Sequence, residues 1–174
     1  MPVLQILSPR TITKPFSPPD AHEIYACISP EITKFMTWEP PASYSDFRTV
    51  WRAWLAPGDP QTDLHLVVRD RKDSRFLGCV GLHSLRTKIP ELGIWLRRDA
   101  HGMGFGGEVI GAVVAWASRQ FTVECFEYPV AEENVASRRI AESLGGSTIG
   151  RRDNPKYRAI VYHIPSAVEQ TELP

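Results

Sequence analysis

Glu91-Leu-Gly-Ile-Trp-Leu-Arg-Arg-Asp-Ala-His-Gly-Met-Gly-Phe-Gly-Gly-Glu108 reads as a strand that runs into a glycine-rich loop and then into a helix. A loop of this kind leaves several backbone N–H groups unpaired and pointing one way, and the helix that follows adds partial positive charge at the same place. Glycines let the backbone approach an anion with no side chain between. The stretch therefore predicts a seat for a phosphate or pyrophosphate, and so a phosphorylated cofactor. Gly102-Met-Gly104-Phe-Gly-Gly107 also fits G-x-G-x-x-G, the dinucleotide fingerprint. Its position argues against that reading. A dinucleotide fold places the motif after its first strand and continues through several strand–helix units, whereas here only a short segment follows. Glu124 and Glu127 stand near the spacing of a ribose-binding acid, so remaining length, more than spacing, disfavours a nicotinamide enzyme. No Gly-Lys-Ser or Gly-Lys-Thr follows the glycines, which removes the Walker loop.

Working outward, Thr11 to Pro15 predicts a first strand, and Asp20 a cap for a helix through about Ile28. Ser45 is read as the cap of a second helix, whose Phe47, Val50, Trp51, Trp54 and Leu55 follow i, i+3, i+4, i+7, i+8. Leu64 to Val68 and Phe76 to Leu85, joined by the polar turn Arg71-Lys-Asp-Ser, predict a hairpin. Past the glycine loop come a helix from about Gly107 to Arg119 and a strand from Val123 to Val130. A helix capped by Asn134 and ended by Gly145-Gly146 follows, then the strand pair Thr148 to Arg151 and Arg158 to Ile164. Pro40-Pro41 and the segment Pro57 to Pro60 read as loops, and Ser166 to Pro174 as a polar tail. Hairpins first, then strand–helix–strand–helix–strands, predict an α+β sheet, part antiparallel and part parallel.

The 174 residues form one expected domain, 1–174, with a real core. Lys plus Arg is 20 and Asp plus Glu is 20, so formal net charge is zero and no general affinity for nucleic acid or an anionic membrane is expected. The counter-reading is a local basic patch of Arg151, Arg152, Lys156 and Arg158 able to grip RNA. Cys27, Cys79 and Cys125 are widely spaced and give neither a disulfide framework nor a metal-ligand pattern. With no long apolar core near the N-terminus, and a longest apolar run of only Val109 to Ala117, the expectation is a soluble, cytoplasmic, metal-free protein.

Several segments together resemble the GNAT N-acetyltransferases, and within them the RimJ/RimL-like branch that acts on ribosomal-protein N-termini. The family's cofactor loop, Q/R-x-x-G-x-G/A, is similar to His101-Gly-Met-Gly104-Phe-Gly106. The branch's Glu-Leu-Gly-Tyr-Trp resembles Glu91-Leu-Gly-Ile-Trp95, and its Asn-x-x-Ser-x-Arg resembles Asn134-Val-Ala-Ser137-Arg-Arg, with Leu144-Gly145 beyond. Pro9 to Ala21 and Met36-Thr-Trp38-Glu-Pro40 resemble its opening strand and first inter-helix loop. His101, Gly146 and Lys14 depart from the pattern, which more often has Gln or Arg, Phe and Arg there. The resemblance implies a mixed, mostly antiparallel central sheet flanked by about four helices. It also implies acetyl-CoA as co-substrate.

Moving an acetyl group from a thioester to an amine requires a neutral amine, a polarised carbonyl, a proton for the leaving thiolate and alignment of the two reactants. Glu91 is the candidate base, directly or through water, and a candidate acceptor contact; the alternative is an exposed carboxylate paired with Arg or Lys. Ile94, Trp95 and Leu96 are implied to offer backbone groups to the pantetheine arm. Gly102, Met103, Gly104, Gly106 and Gly107 are expected to supply N–H groups to phosphate, and His101 either a donor to it or a cap on the loop. Asn134 is read as a helix cap and, by resemblance, a pantetheine contact. Ser137, one turn on, is implied by the resemblance to contact the cofactor and to stabilise or protonate the thiolate, with a solvated helix serine as the alternative; Tyr128 is a second candidate acid, with core packing as its alternative. Trp38 is assigned to the acceptor mouth, where packing competes as an explanation. The acceptor is expected to be a primary amine on a peptide N-terminus or a small molecule, served by a monomer or homodimer. A non-catalytic acyl-CoA-binding domain of the same fold, acting as sensor or partner, stays open as the second reading.

Overall fold

The computed structural model describes residues 4–55 and 62–167. Its strands are β1 (Ile6–Leu7), β2 (Thr11–Pro15), β3 (Leu64–Asp70), β4 (Phe76–His83), β5 (Glu91–Leu96), β6 (Cys125–Ala131), β7 (Ser147–Asp153) and β8 (Arg158–Pro165). The helices are α1 (Ala21–Cys27), α2 (Pro30–Thr33), α3 (Tyr44–Trp54), α4 (Phe105–Gln120) and α5 (Val135–Ser143). One sheet runs β1-β2-β3-β4-β5-β6-β8-β7. Every pairing is antiparallel except β5 with β6. This is the α+β, mostly antiparallel sheet expected, and it excludes the dinucleotide fold, which needs a parallel doubly wound sheet. Among the described residues no helix is long and apolar enough to cross a membrane. The Pro57 to Pro60 loop and the last residues of the expected polar tail lie outside the described residues. At that tail's start, Ser166 is buried and the Ala167 N–H donates to Ser118 Oγ at 3.1 Å.

Leu66, Val67 and Val68 are all buried because helices cover both faces of β3. Val67 joins Phe16, Ile24, Phe47, Trp51 and Phe76 beneath α1 and α3. Leu66 and Val68 join Leu82, Leu92, Val109, Ile110, Val113 and Phe126 beneath α4. A strand buried on both faces loses the alternation that a half-exposed strand shows. On β5 the alternation is kept: Leu92, Ile94 and Leu96 pack on the α4 side, and Trp95 on the α1–α3 side.

Several boundaries moved for local reasons. Ser43, not Ser45, caps α3: its hydroxyl accepts from the Asp46 N–H at 3.1 Å. Val50 and Leu55, assigned to the apolar stripe of α3, are each 45% exposed. Asp20 closes a short 3-10 turn before α1, and its carboxylate reaches back to the Ser17 N–H at 3.0 Å and across to Arg69 at 2.8 Å. Helix α4 begins at Phe105, two residues before the expected start, because Gly104 at φ +80° turns the chain into it. The short β1 and the single-turn α2, capped by Ser29, were not anticipated. At Gly146, where the family pattern has Phe, a Cβ would come within 2.7 Å of the Ala141 carbonyl oxygen, which accepts the Gly146 N–H at 2.8 Å.

Candidate active site

Strands β5 and β6 register at one pair only, Glu91 with Glu127. Beyond it they part, while β5 stays paired with β4 along its whole length, from Glu91 to Leu96. The side of β5 facing β6 is therefore an unpaired edge past Glu91, available to a further extended chain. The glycine loop lies at the far end of this opening. Gly102 and Gly104 take φ values of +72° and +80°, which other residues rarely adopt. No side chain caps α4, so the N–H groups of its first turn at Phe105, Gly106 and Gly107 keep their donors for an anion. A Cβ on Gly102 or Gly107 would meet nothing within 4 Å, so there is space above the loop. An extended arm along β5 with a pyrophosphate at the loop fits this arrangement.

The loop is fastened by residues that sequence reasoning missed. Glu108 lies in the first turn of α4, where its charge would repel a phosphate. It is turned away instead, accepting from Ser8 Oγ at 2.6 Å and from the Arg10 N–H and Nε, each at 2.7 Å. Burial raises its pKa, but these bonds outweigh burial and hold the carboxyl below its usual range. Arg10 also donates to the Met103 carbonyl at 2.9 Å, and its guanidinium lies 4.3 Å over the Phe105 ring. No local motif signals this clasp, since Arg10 and Glu108 are 98 positions apart.

His101 Nε2 lies 2.8 Å from the Leu96 carbonyl oxygen, tying the end of β5 to the loop. The contact fits the capping role of the two expected, and it engages one of the backbone groups assigned to the pantetheine arm. Ile94 and Leu96 have their side chains against the α4 core, and the Trp95 ring stacks edge-on with Phe76 at 5.7 Å.

Asn134 caps α5, its Oδ1 accepting from the Ser137 N–H at 3.2 Å. Ser137 Oγ and the Tyr128 hydroxyl are 2.7 Å apart. Tyr128 is 2% exposed; burial pushes its pKa up to about 12 against a partly offsetting bond from Ser137. The pair thus holds a proton firmly on the α4–α5 side of the sheet.

On the opposite side Glu91 and Glu127, adjacent in parallel register, share one face. Arg152 on β7 reaches both: its Nη1 is 3.2 Å from Glu91, and its Nη2 contacts Glu127. Above them the α2–α3 connection, which carries Trp38, is pinned by Lys156 from the β7–β8 hairpin. Its Nζ donates to the carbonyls of Thr33 at 2.8 Å and Trp38 at 3.1 Å, and pairs with Glu39 at 2.9 Å. Trp38 itself is 37% exposed. A cavity of about 170 Å³ opens here, lined by Phe35, Glu132, Glu133 and Tyr157 among others. Each cation of the candidate RNA patch has an acidic partner: Arg151 with Glu132, Arg152 with Glu91 and Glu127, Lys156 with Glu39, Arg158 with Asp153.

The chain matches a known family model. The model described as an acetyltransferase (GNAT) domain covers residues 10–147. The chain belongs to the GNAT acetyltransferase family. Solved structures share its fold at low identity. Spermidine N-acetyltransferase from Vibrio cholerae, solved with CoA and spermine, is 17% identical, with a TM-score of 0.77 over 90% of this chain and 96% of that one. RimL, a ribosomal alpha-N-protein acetyltransferase, is 14% identical, with a TM-score of 0.80 over 95% and 96%, and has also been solved with coenzyme A. A GNAT-family acetyltransferase from Bacillus anthracis is 14% identical, with a TM-score of 0.80 over 94% and 99%. No curated protein matches by sequence.

Proposed function

We propose that this GNAT domain transfers the acetyl group of acetyl-CoA directly to a primary amine, on a peptide or protein N-terminus or on a small molecule. The observation that carries the reading is the single Glu91–Glu127 register at which β5 and β6 part. It sets a carboxylate on one side of the sheet and the Tyr128–Ser137 hydroxyl pair on the other. Acetyl-CoA supplies an acyl group on a thiolate leaving group. Gly102 to Gly107 receive its pyrophosphate, and the free edge of Ile94 and Trp95 orients its arm beside Asn134. Glu91 accepts a proton from the acceptor ammonium, directly or through water. Ser137, backed by Tyr128, returns a proton to the departing sulfur. An α-amine suits such a base, since its pKa of about 7.7–8.0 lies well below the roughly 10.4 of lysine.

Direct transfer agrees with the thiols. Burial pushes both Cys27 and Cys79 up, away from thiolate, so neither is a ready nucleophile. The RimJ/RimL-like motifs favour a peptide α-amine. A cytoplasmic monomer or homodimer completes the proposal. One observation favours the second reading, a non-catalytic acyl-CoA binder: Glu91 is engaged by Arg152. Incubation with acetyl-CoA and an amine panel, read by mass spectrometry, separates the two. Acetylated amine, with no stoichiometric adduct on the protein, supports direct transfer. Stabilisation by acetyl-CoA with no product from any amine supports the sensor.

A further inference from the structure

The carboxylate pair at the split is already half-filled by a cation of the chain itself. Glu91 and Glu127 face one another across a parallel register, where like charges repel. Arg152 relieves this by sending one guanidinium nitrogen to each. Two carboxylates against one guanidinium leave one formal negative charge. Beside Glu91, on the same face, a Cβ on Gly93 would meet nothing within 4 Å, so there is open space next to the pair. An incoming ammonium settling there completes the neutralisation. A second ammonium on the same molecule finds no comparable seat. Glu39 is held by Lys156 and Glu132 by Arg151, while Glu133 shares the cavity wall with Lys34 and Arg158.

We infer that Arg152 determines acceptor selectivity: by occupying the Glu91–Glu127 seat it admits amines bearing a single positive charge and rejects polyamines. This deepens the proposed acetyl transfer and rests on it. Rejection works through repulsion, because a polyamine's second cation is brought toward a fixed guanidinium without a free counter-charge. Arg152 is a positioning residue here, acting through the two carboxylates. Its side chain is 49% exposed on an edge strand, so replacing it removes no core packing.

The test compares wild type with Arg152→Gln, Arg152→Lys and Arg119→Gln. The acceptors are a short peptide with a free α-amine and no other amine, and spermidine. In Arg152→Gln the spermidine KM should fall about tenfold relative to that of the peptide, consistent with one charge–charge repulsion relieved in a partly solvated site. Arg152→Lys should keep much of the wild-type preference, and Arg119→Gln, which changes net charge equally from an exposed position in the last turn of α4, should leave it within about twofold. Spermidine should also raise the melting temperature of Arg152→Gln in the presence of CoA, and not that of wild type. An unchanged preference in Arg152→Gln, or an equal change in Arg119→Gln, overturns the inference. If no variant transfers acetyl to either amine, yet spermidine stabilises only Arg152→Gln, the transferase reading fails and the selectivity of the seat stands.

Discussion

The two sides of the split are built by different means. On the cofactor side the working groups are main-chain: the loop from Gly102 to Gly107, the uncapped start of α4 and the free edge of β5. On the acceptor side they are side chains brought from distant elements, with Arg152 reaching Glu91 across 61 positions and Lys156 reaching the Thr33 carbonyl across 123. The first arrangement is encoded within one short run of residues. The second exists only when β7 and β8 are in place beside β6. The cofactor side should therefore tolerate only glycine at its positive-φ positions, and the acceptor side should be retunable by exchanging charges.

The largest expected effect is on the acceptor side. Glu91→Gln should lower kcat by about 10²- to 10⁴-fold, the usual worth of a positioned proton acceptor, and leave the acetyl-CoA KM nearly unchanged. A kcat within about threefold of wild type would move the base elsewhere. Next comes the cofactor side. Gly104→Val puts a β-branched residue at φ +80°, so the melting-temperature rise given by saturating acetyl-CoA should vanish. Persistence of that rise would show that the loop is not the phosphate seat.

Tyr128 joins the two sides and gives a pH signature. Its folded pKa of about 12 stands above the ordinary 10, so its contribution is fully present below pH 10 and is lost as pH rises toward 12. About 3 kcal/mol of stability should disappear over that window. Alkaline unfolding of Tyr128→Phe should lack this component, and its kcat should fall about tenfold or more with the loss of the hydroxyl behind Ser137. The same steepness in both proteins would detach Tyr128 from the effect. The smallest change is expected at the clasp. Arg10→Gln removes the guanidinium that neutralises Glu108 and leaves its charge uncompensated near the loop, so the acetyl-CoA KM should rise about tenfold at low salt and less at high salt, with kcat held. Salt-independent loss would point to distortion of the loop instead of charge.

Much of the path was legible because periodicity and caps act over a few residues. The β3–β4 hairpin, the strand–loop–helix at Glu91 to Glu108 and the Asn134 cap all follow from neighbours in sequence. Ser45 was read as the cap of α3, and the bond from the Asp46 N–H puts the cap two residues earlier at Ser43, because a second serine near a helix start carries the same local signal. Val50 and Leu55 lie exposed because α1 and β3 meet a narrower stripe of α3 than the spacing suggested. The contact of His101 Nε2 with the Leu96 carbonyl was not legible, because a motif position does not specify which backbone group a side chain meets.

By itself the sequence determined that a strand runs into a glycine loop that opens a helix, that the sheet is mixed and that Asn134 starts a helix carrying Ser137. Those are properties of backbone conformation and local hydrogen bonding, set by residues within a turn or two of each other. Only the tertiary structure decided that Glu91 shares its charge with Glu127 and Arg152, that Arg10 turns Glu108 away from the loop, and that Lys156 pins the chain at Trp38. A charged side chain can satisfy any opposite charge within reach, so its sequence neighbours do not specify its partner; the sheet order β5-β6-β8-β7 does.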